Sequence, residues 1–212
     1  EPFTKVLPKP LIPINDKPVL DHIIEKFLNF GCTEFYLTVN YKSRVIKAYF
    51  DEGEKNYKIN FVDEEKPLGT AGSIKLLKDT LKGPFFVTNC DIIINTDYKQ
   101  LFEYHLKNNY DLTLVASTKK YVIPYGICEL SEKGDFKKIN EKPYYNFLIN
   151  SGLYILNPDL IDLIPHNQFF HITDLIKSLK ENGKTVGVFP IDDDSWIDIG
   201  QWSEYHRAVD QL

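Results

Sequence analysis

Apolar residues along the chain follow two periods. Val19, Leu20, Ile23, Ile24, Phe27 and Leu28 recur at the three-and-four spacing of a buried helical stripe, with Pro18 near its opening and Gly31 as its stop. The segment before it carries Pro2, Pro8, Pro10 and Pro13, which remove amide donors and restrict their neighbours, so it is expected to be extended and irregular. Glu34–Val39 reads as a short inner strand, residues 41–50 as a helix and residues 59–62 as a second strand. Residues 70–81, with Ile74, Leu77 and Leu81 on one side, read as a third helix that Gly83 ends, and Phe85–Thr88 follows as a strand. A helix over 98–108 then leads to a strand over 112–116.

Strands alternating with helices imply crossover units and a sheet covered on both faces. After residue 116 the rhythm changes. Residues 125–130, 136–140 and 148–156 are strand-like pieces separated by Gly134 and a loop at Pro143, which predicts an antiparallel addition. Helices over 158–164 and 172–182, a strand over 185–189 and a helix over 202–212 complete the pattern. The expected fold is α/β, a Rossmann-like three-layer α/β/α arrangement with a largely parallel central sheet. No linker, repeat or low-complexity stretch divides the chain, so residues 1–212 read as one domain.

Composition narrows the function classes. The 212 residues are 43% apolar and 26% charged, which argues against disorder. No apolar run approaches the 18 residues of a membrane span, and a net charge of −5 gives no nucleic-acid footprint. Cys32, Cys90 and Cys128 are too widely spaced for a zinc cluster or a disulfide framework and suit a reducing cytosol, so a cytoplasmic protein is expected. His22, His105, His166, His171 and His206 show no ligand spacing and read as structural or surface residues. P-loop, dinucleotide-binding and nucleophile-elbow patterns are all missing from the sequence.

The candidate chemistry gathers beyond strand ends, where open α/β sheets bind ligands. In Val87-Thr88-Asn89-Cys90-Asp91 an apolar strand runs into a carboxylate. Asp91 either ligates a divalent cation carrying phosphate oxygens or caps the next helix or turn. Asp198, in Trp196-Ile197-Asp198-Ile199-Gly200, points away from both neighbouring isoleucines and carries the same two readings, metal ligand or cap. Asp192, Asp193 and Asp194 read as a solvated loop. Pro67-Leu68-Gly69-Thr70-Ala71-Gly72-Ser73 is a small-residue turn into a helix, which lets a base or a phosphate approach the backbone. Lys9 and Lys142 sit on proline-stiffened segments, where an ammonium either meets a phosphate or is simply solvated.

Taken together these pieces resemble the sugar-phosphate nucleotidyltransferases. The matching motifs, in the family's order, are P-K-P-L-I-P-I around Lys9, P-L-G-T-A-G, V-T-N-C-D, Y-G at Tyr125-Gly126, E-K-P at Glu141-Lys142-Pro143, I-N-S-G-L-Y and W-I-D-I-G. The resemblance implies nucleotidyl transfer from a nucleoside triphosphate to a sugar 1-phosphate, with Mg2+ held by Asp91 and Asp198. Lys9 would contact the triphosphate and Lys142 the sugar phosphate. Pro67, Leu68, Gly69, Thr70 and Asn89 would meet the nucleotide; Gly126, Glu141 and Asn150 would meet the sugar. Two departures stand out: Cys90 replaces the glycine usual before the metal-binding aspartate, and the family's first strand and glycine-rich, arginine-bearing loop would belong upstream of Glu1. A noncatalytic sugar-nucleotide-binding subunit is the alternative. Neither nucleic acid nor membrane is expected as a partner, whereas a homo-oligomer or a further N-terminal regulatory domain is compatible with the resemblance.

Overall fold

Helix α1 (Val19–Phe30) forms on the predicted stripe, burying Val19, Leu20, Ile23, Ile24 and Phe27. Gly31 ends it at φ 103°, a conformation that suits a residue without a β carbon, and its amide donates to the carbonyls of Phe27 and Leu28. The computed structural model describes residues 7–53, 55–200 and 202–211. Part of the proline-rich opening, residues 1–6, therefore lies outside the described residues, as do Leu212 and any segment upstream of Glu1. The remainder of the opening is more regular than predicted. Lys9–Leu11 makes a single 3-10 turn, and strands β1 (Pro13–Ile14) and β2 (Lys17–Pro18) form a small antiparallel ribbon.

Strands β3 (Glu34–Val39) and β4 (Lys58–Asp63) pair in parallel across helix α2 (Ser43–Asp51). Leu20 and Ile24 of α1 and Ile46 and Phe50 of α2 close a core against Val39. The helix predicted over 70–81 is instead one helical turn at Gly69–Gly72, followed by a 3-10 segment at Ser73–Leu77. Ile74 and Leu77 are still buried, because an i, i+3 pair faces one way in either kind of helix.

The remaining strands are β5 (Phe85–Thr88), β6 (Ile92–Ile94), β7 (Leu112–Val122), β8 (Ile127–Leu130), β9 (Phe136–Asn140), β10 (Tyr144–Leu156), β11 (Val186–Asp192) and β12 (Trp196–Asp198). Helices α3 (Tyr98–Lys107), α4 (Ile172–Glu181) and α5 (Trp202–Gln211) accompany them, and the predicted helix at 158–164 is a 3-10 segment, Pro158–Leu163. The main sheet runs β11-β7-β10-β5. β11 is parallel to β7, while β10 is antiparallel to both β7 and β5, so three strands share a direction and one opposes them. The sheet is thus mixed, with one parallel and two antiparallel pairings. The antiparallel part is longer than predicted: β7 continues to Val122 and β10 starts at Tyr144, forming a ribbon that carries the separate hairpin β8–β9. Strand β6 was not predicted, since three successive isoleucines have no alternation.

His105 of α3 fastens this helix to the sheet. Its Nδ1 lies 2.9 Å from Thr113 Oγ1 and its Nε2 3.1 Å from Asn157 Oδ1, so the neutral ring accepts from the hydroxyl and donates to the amide oxygen. Burial holds its pKa below the ordinary 6.5. As pH falls, an unfolded imidazole takes up its proton near about 6.5 while the folded one resists, so this contribution to stability is complete above that pH and is lost below it, by at most about 1.4 kcal/mol per pH unit. The unfolding free-energy advantage of the wild-type chain over His105→Gln, measured in urea, should therefore shrink between pH 7.5 and 5.5. A difference independent of pH would refute the assignment.

Candidate active site

The site begins where β5 ends. Beyond Thr88 the chain passes through Asn89, Cys90 and Asp91 into β6, which pairs antiparallel with β12 so that Asp198 lies opposite Ile92. Ile93 and Ile197 are fully buried and opposite one another, which locks the register of the pair. The Ile199 amide also donates to the Asp91 carbonyl at 2.9 Å, and the Gly200 amide to Asp198 Oδ1 at 2.9 Å. A β carbon on Gly200 would lie 2.9 Å from Asp198 Oδ1 and 3.8 Å from Asp91 Oδ2. The two carboxylates therefore converge on one small volume beside a glycine. Cys90 is accommodated without a left-handed backbone, since it is not among the residues of positive φ.

Lys9 reaches the same point from its 3-10 turn, which prolines 8 and 10 stiffen; its ammonium donates to Asp91 Oδ2 at 2.9 Å. That hydrogen bond, and the charge of the same carboxylate, hold the Lys9 pKa above its ordinary value. The two side chains make an ion pair in which the lysine is exposed and the aspartate largely covered.

The facing wall is an irregularity in β10. Its register against β7 breaks between Asn150 and Tyr154, and the extra residues turn toward the end of β5. Gly152 adopts φ 87°, accepts from the Asn89 amide at 3.1 Å, and leaves no room for a side chain, because a β carbon there would meet the Asn89 amide group at 2.7 Å. Asn150 accepts from the Gly152 amide at 3.2 Å and donates to the Tyr154 hydroxyl at 2.7 Å. The indole of Trp196 donates to the Ser151 carbonyl at 3.1 Å, tying β12 to β10. The open cleft between these elements has a volume of about 500 Å³.

Of the candidate site residues, Lys9, Asn89, Asp91, Asn150 and Asp198 line this cleft. Trp196, Ser151, Gly152 and Gly200 also line it. These four sit inside the quoted motifs, but nothing in their residue type marked them. Pro67, Leu68, Gly69 and Thr70 are not among its lining residues. Within their turn the Ala71 and Gly72 amides both donate to the Phe170 carbonyl at 3.0 Å, and Thr70 Oγ1 accepts from the Ile172 amide at 2.9 Å. The glycines serve close backbone packing, since a β carbon on Gly69 would lie 2.7 Å from the Phe170 carbonyl oxygen. Gly126, Glu141 and Lys142 lie on the arm formed by the ribbon and its hairpin. A β carbon on Gly126 would sit 2.7 Å from Glu141 Oε2, and Lys142 has φ 44°, a strained conformation for a lysine.

No group of three or more His, Cys, Asp or Glu side chains capable of holding a metal occurs among the described residues. Two converging carboxylates nonetheless fit Mg2+, which takes hard oxygen donors, uses one or two protein carboxylates and fills its other positions with water and phosphate.

A family model described as nucleotidyl transferase matches residues 1–212. A Saccharomyces cerevisiae protein named mannose-1-phosphate guanyltransferase is 35% identical over 213 residues, covering 96% of this chain and 58% of the relative. A Candida albicans protein of the same name is 34% identical with the same coverage, so the chain spans little more than half the length of these relatives. Among solved structures, HddC from Yersinia pseudotuberculosis, also solved in complex with GMP-PN, superposes with a TM-score of 0.75 at 28% identity over 97% of this chain and 90% of HddC. A UDP-glucose pyrophosphorylase complexed with UDP-glucose shares the fold at a TM-score of 0.70 and 22% identity, over 99% of this chain and 91% of that one.

The Gly152–Asn89 contact generates a direct test. Gly152→Ala should destabilise the chain by about 2 kcal/mol or more, from backbone strain together with overlap. Adding Asn89→Ala should recover the overlap but leave the strain of roughly 1 kcal/mol. Strictly additive losses in chemical denaturation would show that the two residues do not touch.

Proposed function

The chain belongs to the nucleotidyl transferase family, and on that premise we propose that it transfers a nucleotidyl group from a nucleoside triphosphate to a sugar 1-phosphate, releasing pyrophosphate. The observation that carries this reading is the convergence of Lys9, Asp91 and Asp198 at one mouth of a cleft whose other wall is Asn150 and Trp196. Phosphoryl chemistry of this type needs charge neutralisation and alignment rather than a protein nucleophile. Retention of both carboxylates and of the lysine favours catalysis over a purely binding role.

In this mechanism Asp91 and Asp198 hold the divalent ion, which when bound offsets the triphosphate charge and polarises the α-phosphate. Lys9 leaves Asp91 for the phosphate oxygens, and its short rigid turn limits the entropy lost in doing so. The sugar phosphate oxygen attacks the α-phosphorus in line; the bond from that phosphorus to the bridging oxygen breaks, and pyrophosphate departs with the electron pair. Lys142 orients the incoming phosphate from the arm, while Glu141, Gly126 and Asn150 meet sugar hydroxyls. Asn89 and the turn from Pro67 to Thr70 border the nucleotide. The guanyltransferase names of the relatives, and the GMP-PN complex of HddC, support guanosine triphosphate as the donor and a mannose-like sugar 1-phosphate as the acceptor. Three free thiols support a cytoplasmic setting.

Asp91→Asn and Asp198→Asn should each lower kcat with Mg2+ by about 100-fold or more while leaving thermal stability nearly unchanged, since both groups sit at the mouth of the cleft. Normal turnover of either variant in a coupled pyrophosphate-release assay would rule out the shared metal site. Lys142→Ala should raise KM for the sugar 1-phosphate about tenfold and leave KM for the triphosphate unchanged. An equal effect on both substrates would reject the separate role given to this lysine.

A further inference from the structure

Strand β12 carries Asp198 on a backbone with a partner strand on one side. Among the described residues it pairs with β6 alone. The Ser195 carbonyl accepts from the Asn95 amide at 2.8 Å, and the Ile199 amide donates to the Asp91 carbonyl at 2.9 Å. The main-chain groups of residues 195, 197 and 199 therefore face β6, and those of Trp196 and Asp198 point the other way. On that outer side stands Arg207 of α5. Its Nη2 donates to the Trp196 carbonyl, two residues before Asp198, and to the Asp193 carbonyl at 3.2 Å. Its Nη1 lies 3.1 Å from Glu204 Oε2, one turn earlier in the same helix. The Trp196 side chain is held by other groups: its indole donates to the Ser151 carbonyl, and the Lys119 ammonium lies over its ring, 5.1 Å from the centroid. The bonds from Arg207 to this segment thus fall on main chain.

We propose that Arg207 is a positioning residue for the carboxylate corner: its hold on the outer edge of β12 sets where Asp198 stands against Asp91, and with that how tightly a divalent cation is bound. The inference rests on the reading of Asp91 and Asp198 as the cation's ligands. First, the guanidinium stands where a neighbouring strand would. A pair of three-residue strands is marginal by itself, and a planar fork of permanent charge is suited to bonding two carbonyls at once. Second, α5 is held in place without Arg207. The Tyr205 hydroxyl donates to the Pro13 carbonyl at 2.9 Å, the Asn15 side chain donates to the Val209 carbonyl at 3.3 Å, and Ala208 is fully buried in the core. Third, Arg207 Nε is buried without a hydrogen-bond partner. An unmet donor costs stability, so stability alone does not account for this side chain. Loss of the guanidinium leaves the Ile197 anchor intact but lets the backbone from Trp196 to Asp198 rotate about it. A small rotation there moves a carboxylate that Mg2+ needs at near-ideal distance and angle.

The experiment is a titration of the whole chain with Mn2+, which takes the same oxygen ligands as Mg2+. Free Mn2+ is read by electron paramagnetic resonance, with no nucleotide present and well below each variant's thermal midpoint. Arg207→Met, which keeps an unbranched stem and removes the donors, should weaken Mn2+ binding by about tenfold, the usual effect of losing a group that orients a ligand. Arg207→Lys, with one ammonium on a shorter stem, should fall between the Met variant and the wild-type chain. Tyr205→Phe, which loosens the same helix from β1 rather than from β12, should lower the thermal midpoint and leave Mn2+ affinity unchanged. Wild-type affinity in either folded Arg207 variant overturns the proposal, and a lowered thermal midpoint beside it would mark Arg207 as a residue of stability only. Tyr205→Phe weakening the binding as much as Arg207→Met overturns it too, because any loosening of α5 would then suffice. Asp198→Asn separates the two levels. If it binds Mn2+ as tightly as the wild-type chain, the metal corner itself is wrong and this inference falls with it. Weakened binding in Asp198→Asn beside unaltered binding in Arg207→Met removes this inference alone.

Discussion

The site depends on one short pairing, β6 against β12. Each strand has three residues and is anchored by a fully buried isoleucine, Ile93 on one and Ile197 on the other. A slip of one residue in either strand would turn these isoleucines outward and carry Asp198 away from Asp91. The apolar contact thus sets the position of the carboxylates, although no carboxylate takes part in it. The cost of bringing two anions together is offset locally by the Lys9 ammonium and by the amide of Gly200.

Around that pairing the elements divide the labour. The body supplies rigid backbone: the stiff turn of Lys9, the end of β5 and the irregular stretch of β10, which the Asn150 amide and the Trp196 indole fasten. The arm supplies side chains that reach, with Lys142 held in a left-handed conformation and Glu141 close to Gly126. On the proposed reading, a fixed corner of two carboxylates and a separate arm suit a reaction between two phosphorylated substrates, one held while the other enters.

Much of this was legible in the chain. The α1 stripe and the alternation around Asp198 show in residue spacing, and the strand before Asp91 shows as a short apolar run between turn signals. The missed features have a physical cause in common. β6 is buried on every side and has no periodicity to read. β7 and β10 extend as a ribbon exposed on both faces, so hydrophobic alternation could not mark their true ends. The helix expected over 70–81 is broken because the Phe170 carbonyl captures two amides of its first turn, a contact made by residues a hundred positions away. Gly152 acts through its backbone conformation and Trp196 through an indole hydrogen bond to a carbonyl of another strand, and the sequence pattern expresses neither.

The span of the β6–β12 contact also orders the assembly of the molecule in time. β3 and β4 meet across about two dozen residues, whereas Ile92 and Asp198 are more than a hundred apart along the chain. Closing the longer loop costs more entropy and is repaid only once the intervening sheet exists. The two carboxylates therefore come together late, after the body that carries them has formed. A growing chain on the ribosome has no Asp91–Asp198 corner until the residues around Asp198 emerge, so under the proposed function a partly made copy lacks the place where the ion would sit.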